Sequence, residues 1–235
     1  HHRESLLLRL VIWKILLNKI MSIHLVHRGL VKKSFKENTI KSFKYSFKRG
    51  YGIETDLHAT KDNQLVCFHD FNLRRKFNLN RNVKDITYSF LKEISNKRKA
   101  PVPKLKDLLR ISRNKYPLLL EIKPLLTKHS LLNLIKLTKK TKKYGIFSFK
   151  EKNLINLYKL NKKLNLGLLF LSTSNLKTIK SKSKKHHVKF LGLEKSFLSN
   201  KKLTKIRKPI FYYTVKRKDL FKKYKNSKNL IFENL

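Results

Sequence analysis

The chain has 235 residues, enough for one large domain with its own core, and its single cysteine, Cys67, excludes an internal disulfide framework and a thiolate zinc set. Against 58 lysines and arginines stand 14 acids, a formal net charge of +44 that suits anionic lipid or phosphorylated substrates. The basic residues run through every segment instead of gathering on one face or tail, so no specific nucleic-acid partner is expected, and each acid inside a strand stands out.

Residues 1–20 form an amphipathic extension whose apolar run, Leu6 to Leu17, is broken by Arg9 and Lys14. It is too short and too charged to span a bilayer and has no small-residue cleavage site, which predicts a cytoplasmic protein. The stretch from 5 to 20 suits either peripheral contact with an anionic membrane or a helix closing the bottom of a barrel. Residues 21–235 then read as one domain, with no linker and no internal repeat. Short β-rich runs lie at Ile23 to His27, Gly52 to Asp56, Leu118 to Ile122, Gly145 to Phe149, Leu166 to Phe170, Phe190 to Glu194, Phe211 to Val215 and Asn229 to Phe232. Amphipathic helical stretches separate them, among them Thr39 to Lys48, Pro103 to Lys115, Ser130 to Lys142 and Lys150 to Asn161. Eight strands alternating with helices in this length predict an α/β fold, a (β/α)8 TIM barrel.

One further run, Leu65 to His69, leaves no room for a crossover helix before it. It is the returning arm of a β-hairpin extension that begins at Gly52 and turns over Lys61, Asp62, Asn63 and Gln64. Pairing Thr60 with Leu65 sets His69 opposite Asp56. Glu54, Asp56 and His58 share one strand face. In a barrel, chemistry gathers where the strands end. Those ends offer His27 and Arg28, Glu54 and Asp56, Glu121 and Lys123, with His69 returning from the hairpin. Three carboxylates suit one hard divalent cation, Mg²⁺ or Ca²⁺. Two histidines suit general acid and base roles, and Arg28 with Lys123 would meet a phosphate. His58 reads as a solvated or substrate-facing residue, Glu37 and Asn38 as a helix cap that also braces the rim, and His24, His129, His186 and His187 fall outside the cluster.

HRG at His27 to Gly29, ENT at Glu37 to Thr39, ETD at Glu54 to Asp56, TKDNQLVCFHD at Thr60 to Asp70 and EIKP at Glu121 to Pro124 occur in order. Together with FSF at Phe147 to Phe149 and YTV at Tyr213 to Val215, they resemble the motifs of the glycerophosphodiester phosphodiesterases, from about residue 22 to the end. The resemblance implies metal-dependent hydrolysis of small-molecule glycerophosphodiesters to an alcohol and sn-glycerol 3-phosphate. It implies His27 and His69 as the catalytic pair, Glu54, Asp56 and Glu121 as metal ligands, and Arg28 and Lys123 on the phosphate. Phe149, Tyr213 and Lys216 would line the substrate pocket. Lys36, Asn63, Tyr213 and Lys216 depart from residues common in the family, and the last two bear on head-group preference. A lysophospholipase D-like enzyme would use the same residues with a more apolar mouth. A dead barrel that only binds anionic lipid or nucleic acid would leave seven matched pocket residues unexplained.

Overall fold

The structure is a computed structural model and describes residues 22–235. The extension at 1–20 lies outside the described residues. Eight parallel strands close a barrel: β1 (His24–His27), β2 (Gly52–Ala59), β4 (Leu118–Ile122), β5 (Tyr144–Ser148), β6 (Leu166–Phe170), β7 (Phe190–Glu194), β8 (Ile210–Val215) and β9 (Asn229–Phe232). Closure is made by β1, which pairs with β2 through Val26 opposite Ile53 and with β9 through Val26 opposite Phe232. The remaining strand, β3 (Leu65–Cys67), runs antiparallel to β2 at the edge. The expected strands therefore all form, with ends that differ by a few residues at most.

Helices cover the outside. They are α1 (Ile40–Lys48), α4 (Leu105–Ser112), α5 (Lys128–Thr138), α6 (Glu151–Leu160), α7 (Leu176–Ser183) and α8 (Lys218–Tyr224). Thr39 starts α1 with a capping box, its side chain accepting from the Ser42 amide while the Ser42 hydroxyl meets the Thr39 amide. Such a cap is worth about 1 kcal/mol. In α4 the buried residues Leu105, Leu108 and Ser112 recur at helical spacing and face the sheet. α5 begins earlier than its apolar pattern suggests, because Thr127 accepts from the Ser130 amide at 3.1 Å and sets the first turn. The crossover from β7 to β8 has no α-helix; two 3₁₀ turns, Lys195–Phe197 and Lys201–Lys205, carry it.

Three apolar cores follow from this layering. The largest lies between strands and helices, with Phe43, Leu57, Leu120, Leu134, Leu157 and Leu191 buried in it. A second fills the barrel, where Leu25, Leu119, Phe147, Leu169, Phe190, Phe211 and Ile231 pack together. Gly145 and Gly167 make room for the Phe190 ring; a Cβ on Gly167 would sit 2.3 Å from Phe190 Cε2. The third core supports the hairpin. Between β3 and α4 the chain forms α2 (Arg74–Phe77), a 3₁₀ turn and α3 (Tyr88–Lys97), and buries Phe68, Leu73, Phe77, Val83 and Leu91 beneath β3. That small core holds the returning arm at the rim.

Candidate active site

The hairpin register differs by one residue from the sequence expectation. Ala59 faces Leu65, His58 faces Val66 and Leu57 faces Cys67. The loop holds three residues, not four, because the Thr60 amide already donates to the Gln64 carbonyl at 3.0 Å. Asn63 takes φ 55°, the left-handed conformation that closes a three-residue hairpin, and asparagine tolerates it. Phe68, not His69, therefore stands opposite Asp56, its amide donating to the Asp56 carbonyl at 3.0 Å. Pairing stops there. Once the chain leaves the strand, alternation no longer dictates direction, and His69 lines a groove together with Lys123.

His58, expected to be solvated or substrate-facing, is buried. Its Nε2 lies 3.2 Å from the His69 carbonyl and donates to it in the Nε2–H tautomer, while its ring meets Phe71 edge-on at 5.0 Å. Burial pulls its pKa down to about 4, so the ring is neutral at pH 7 and fixes the backbone of His69.

At the strand ends the three expected carboxylates converge. Glu54, Asp56 and Glu121 are buried, and each offers an oxygen within 4.8 Å of the others. Among the described residues, Glu54 Oε2 and Asp56 Oδ1 are buried without a hydrogen-bond partner. Burial and the neighbouring Asp56 raise Glu54 well above the usual carboxyl range and push Glu121 up to about 7. Asp56 behaves oppositely. Burial alone would raise it, but Arg28 and Lys123 outweigh burial and hold it low. Three crowded acidic oxygens, two of them without a hydrogen bond, fit a hard cation such as Mg²⁺ or Ca²⁺, which takes oxygen ligands and would relieve their repulsion.

Two cations flank the cluster. Arg28 sits at φ 58° just beyond β1, its amide donating to the Glu54 carbonyl at 2.8 Å. Its Nε lies 3.0 Å from Asp56 Oδ2 and its Nη1 3.2 Å from Glu37 Oε2. Lys123 Nζ lies 2.9 Å from Glu121 Oε1 and 3.6 Å from Asp56 Oδ1. Asn38 Nδ2 donates to Asp56 Oδ2 at 3.2 Å while its Oδ1 accepts from Thr55 Oγ1 at 2.7 Å, so Glu37 and Asn38 brace the rim while Thr39 alone caps α1.

Each histidine has an acidic partner that the sequence reading missed. His27 Nδ1 lies 3.2 Å from Glu233 Oε2, and its Nε2 faces Glu54 Oε2 at 3.9 Å. Glu233 follows β9, which barrel closure sets beside β1; an acid directly after the last strand was the available signal. His69 Nδ1 lies 2.6 Å from Asp70 Oδ1, and Arg75 donates to Asp70 at 2.6 Å and reaches Glu37 at 3.2 Å. Burial lowers the His69 pKa, with Asp56 and Asp70 opposing.

The three expected pocket residues divide. Phe149 and Tyr213 meet edge-on at 6.1 Å, and the Tyr213 hydroxyl donates to the Phe170 carbonyl at 2.7 Å. Lys216 is not a free charge, since its Nζ pairs with Glu233 at 3.3 Å on the His27 side. The groove of about 660 Å³ beside the carboxylates is lined instead by His69, Asp70, Phe71, Arg74, Arg75 and Lys123.

Residues 27–228 match the model of the glycerophosphoryl diester phosphodiesterase family. The chain belongs to this family. Over 71 residues it is 39% identical to lysophospholipase D GDPD1 of Homo sapiens, a match covering 30% of this chain and 22% of that protein. Over 67 residues it is 43% identical to a glycerophosphodiester phosphodiesterase of Bacillus altitudinis, covering 28% and 27%. The aligned stretches thus span under a third of these curated relatives. Among solved structures, a glycerophosphodiester phosphodiesterase of Thermotoga maritima superposes with TM-score 0.77 at 21% identity, covering 91% of this chain and 94% of that one. A phosphodiesterase of Oleispira antarctica, solved with the product sn-glycerol-3-phosphate, gives 0.76 at 19% identity over 91% and 93%. These likenesses show the shared barrel.

Proposed function

We propose that this member of the family hydrolyses glycerophosphodiesters to an alcohol and sn-glycerol 3-phosphate with the aid of one divalent cation. The observation that carries the reading is the convergence of Glu54, Asp56 and Glu121 between two cations, Arg28 and Lys123, and two acid-partnered histidines. Glu54, Asp56 and Glu121 would hold the cation, and when bound it supplies positive charge that stabilises the transition state of phosphoryl transfer. Arg28 and Lys123 hold the phosphate oxygens and meet the negative charge that grows on them.

One imidazole takes the proton from the attacking hydroxyl, of water or of the substrate's own glycerol, as the new P–O bond forms. The other delivers a proton to the oxygen of the alcohol as its P–O bond breaks. Glu233 and Asp70 orient these rings at Nδ1 and leave Nε2 of each free for the transfer. Phe149 and Tyr213 offer an aromatic wall to one arm of the diester.

The test is release of glycerol 3-phosphate from a panel of glycerophosphodiesters and a lysophospholipid, with Mg²⁺, with Ca²⁺ and with chelator. Turnover of soluble diesters that chelator abolishes supports the reading. Hydrolysis of the lysophospholipid alone moves the substrate class to lipids, and no turnover of any diester refutes the proposal.

A further inference from the structure

Among the described residues, the large apolar side chains left open to solvent are Phe71, Leu125, Leu132, Phe149 and Leu171. Four of these five share a location. Phe71 lies in the loop after β3, Leu125 after β4, Phe149 directly after β5 and Leu171 directly after β6. The strands β4, β5 and β6 are consecutive neighbours, and β3 joins them through β2. The parallel strands β4, β5 and β6 end on one rim, and Phe71, though it follows the antiparallel β3, lines the groove there with His69 and Lys123, so these side chains follow one arc of the barrel mouth, above the carboxylate cluster.

The unpaired charge on that arc has one sign. Arg74, Lys128, Lys150 and Lys177 are exposed in the segments that follow the same strands, and none has an ion-pair partner among the described residues. The nearby acids are already neutralised: Asp70 by Arg75, Glu151 by Lys182 and Lys185. Single apolar side chains on separate loops, set among unpaired cations, match a surface with anionic head groups over an apolar interior. An acidic protein partner would satisfy the cations but gives no account of exposed apolar residues dispersed over four loops.

We propose that this arc docks the mouth of the barrel on an anionic lipid bilayer. The contact brings phosphodiester head groups to the rim. It is a binding property that stands or falls apart from hydrolysis.

The test is cosedimentation of the full chain with vesicles of phosphatidylcholine, and of phosphatidylcholine with phosphatidylglycerol, at a salt concentration near 0.15 M, where the Debye length is about 8 Å. Wild type binds the anionic vesicles and not the neutral ones. The double variant Leu125→Ser with Leu171→Ser, which changes no charge, loses at least about tenfold in partitioning, as removal of buried apolar area requires. Leu132→Ser, on the outward flank of α5, binds like wild type. Release of glycerol 3-phosphate from soluble glycerophosphocholine is the same for the double variant and wild type, so a docking defect and a catalytic defect are read apart. The proposal is overturned if wild type ignores anionic vesicles, which would leave the arc to a protein partner. It is equally overturned if the double variant binds as well as wild type or if Leu132→Ser loses as much, since either result means diffuse attraction by net charge.

Discussion

Replacing Glu37 by glutamine keeps the side chain's size and removes the charge that joins the two halves of the site. Glu37 Oε2 meets Arg28 Nη1 at 3.2 Å, and Oε1 meets Arg75 Nη2 at 3.2 Å and Lys76 Nζ at 3.1 Å. Burial would raise this carboxyl, but Lys76 and Arg28 outweigh burial and bring it from 4.5 to about 2. Counted in full, that drop corresponds to about 3 kcal/mol of stability at neutral pH. The side chain is 23% exposed. Solvent screening and the entropy of the long basic partners reduce the expected loss in Glu37→Gln to about 1–2 kcal/mol.

The sign follows from the direction of the change. A folded-state pKa below the unfolded value gives stability that is present above the unfolded pKa and disappears as pH falls through the folded one. Urea unfolding followed by circular dichroism therefore separates wild type from Glu37→Gln at neutral pH, and the gap closes between 4.5 and about 2. Equal stabilities at neutral pH, or a gap of unchanged size in acid, refute the hub.

Other outcomes follow from neighbouring contacts. Glu233→Gln removes the acid partner of His27 and lowers kcat about tenfold or more, with little change in KM. Calorimetric titration of Glu54→Gln with Mg²⁺ or Ca²⁺ shows affinity weaker by at least about tenfold, because one of three converging carboxylates is gone. Gly167→Ala drives a Cβ into the Phe190 ring and costs about 1–3 kcal/mol in chemical denaturation, without touching the site.

The barrel and the carboxylate cluster were legible because both depend on short-range pattern. Leu118 to Ile122 and Leu166 to Phe170 are strand-length apolar runs between helical stretches, and an acid at a strand end is conspicuous in a chain so rich in lysine. What depends on long-range closure was harder to read. Glu233 acts on a residue 206 positions away, and only the pairing of β9 with β1 brings it there. The hairpin register turned on one backbone detail, the left-handed Asn63, which shortens the loop by a residue. His58 looked solvated or substrate-facing because strand alternation says which face a side chain takes and nothing of what covers it. Phe71 and the chain from Phe68 to Asp70 fold back over it.

That excursion bears on the central claim, because His69 reaches the site after the strand has ended and not by pairing with Asp56. The most direct measurement is the rate of glycerol 3-phosphate release from a soluble glycerophosphodiester by wild type and His69→Ala, each saturated with the divalent cation. His69 is only partly buried, so its removal leaves the fold intact. The account predicts a loss of at least about a hundredfold in kcat with unchanged cation affinity. Turnover by His69→Ala at the wild-type rate would contradict it.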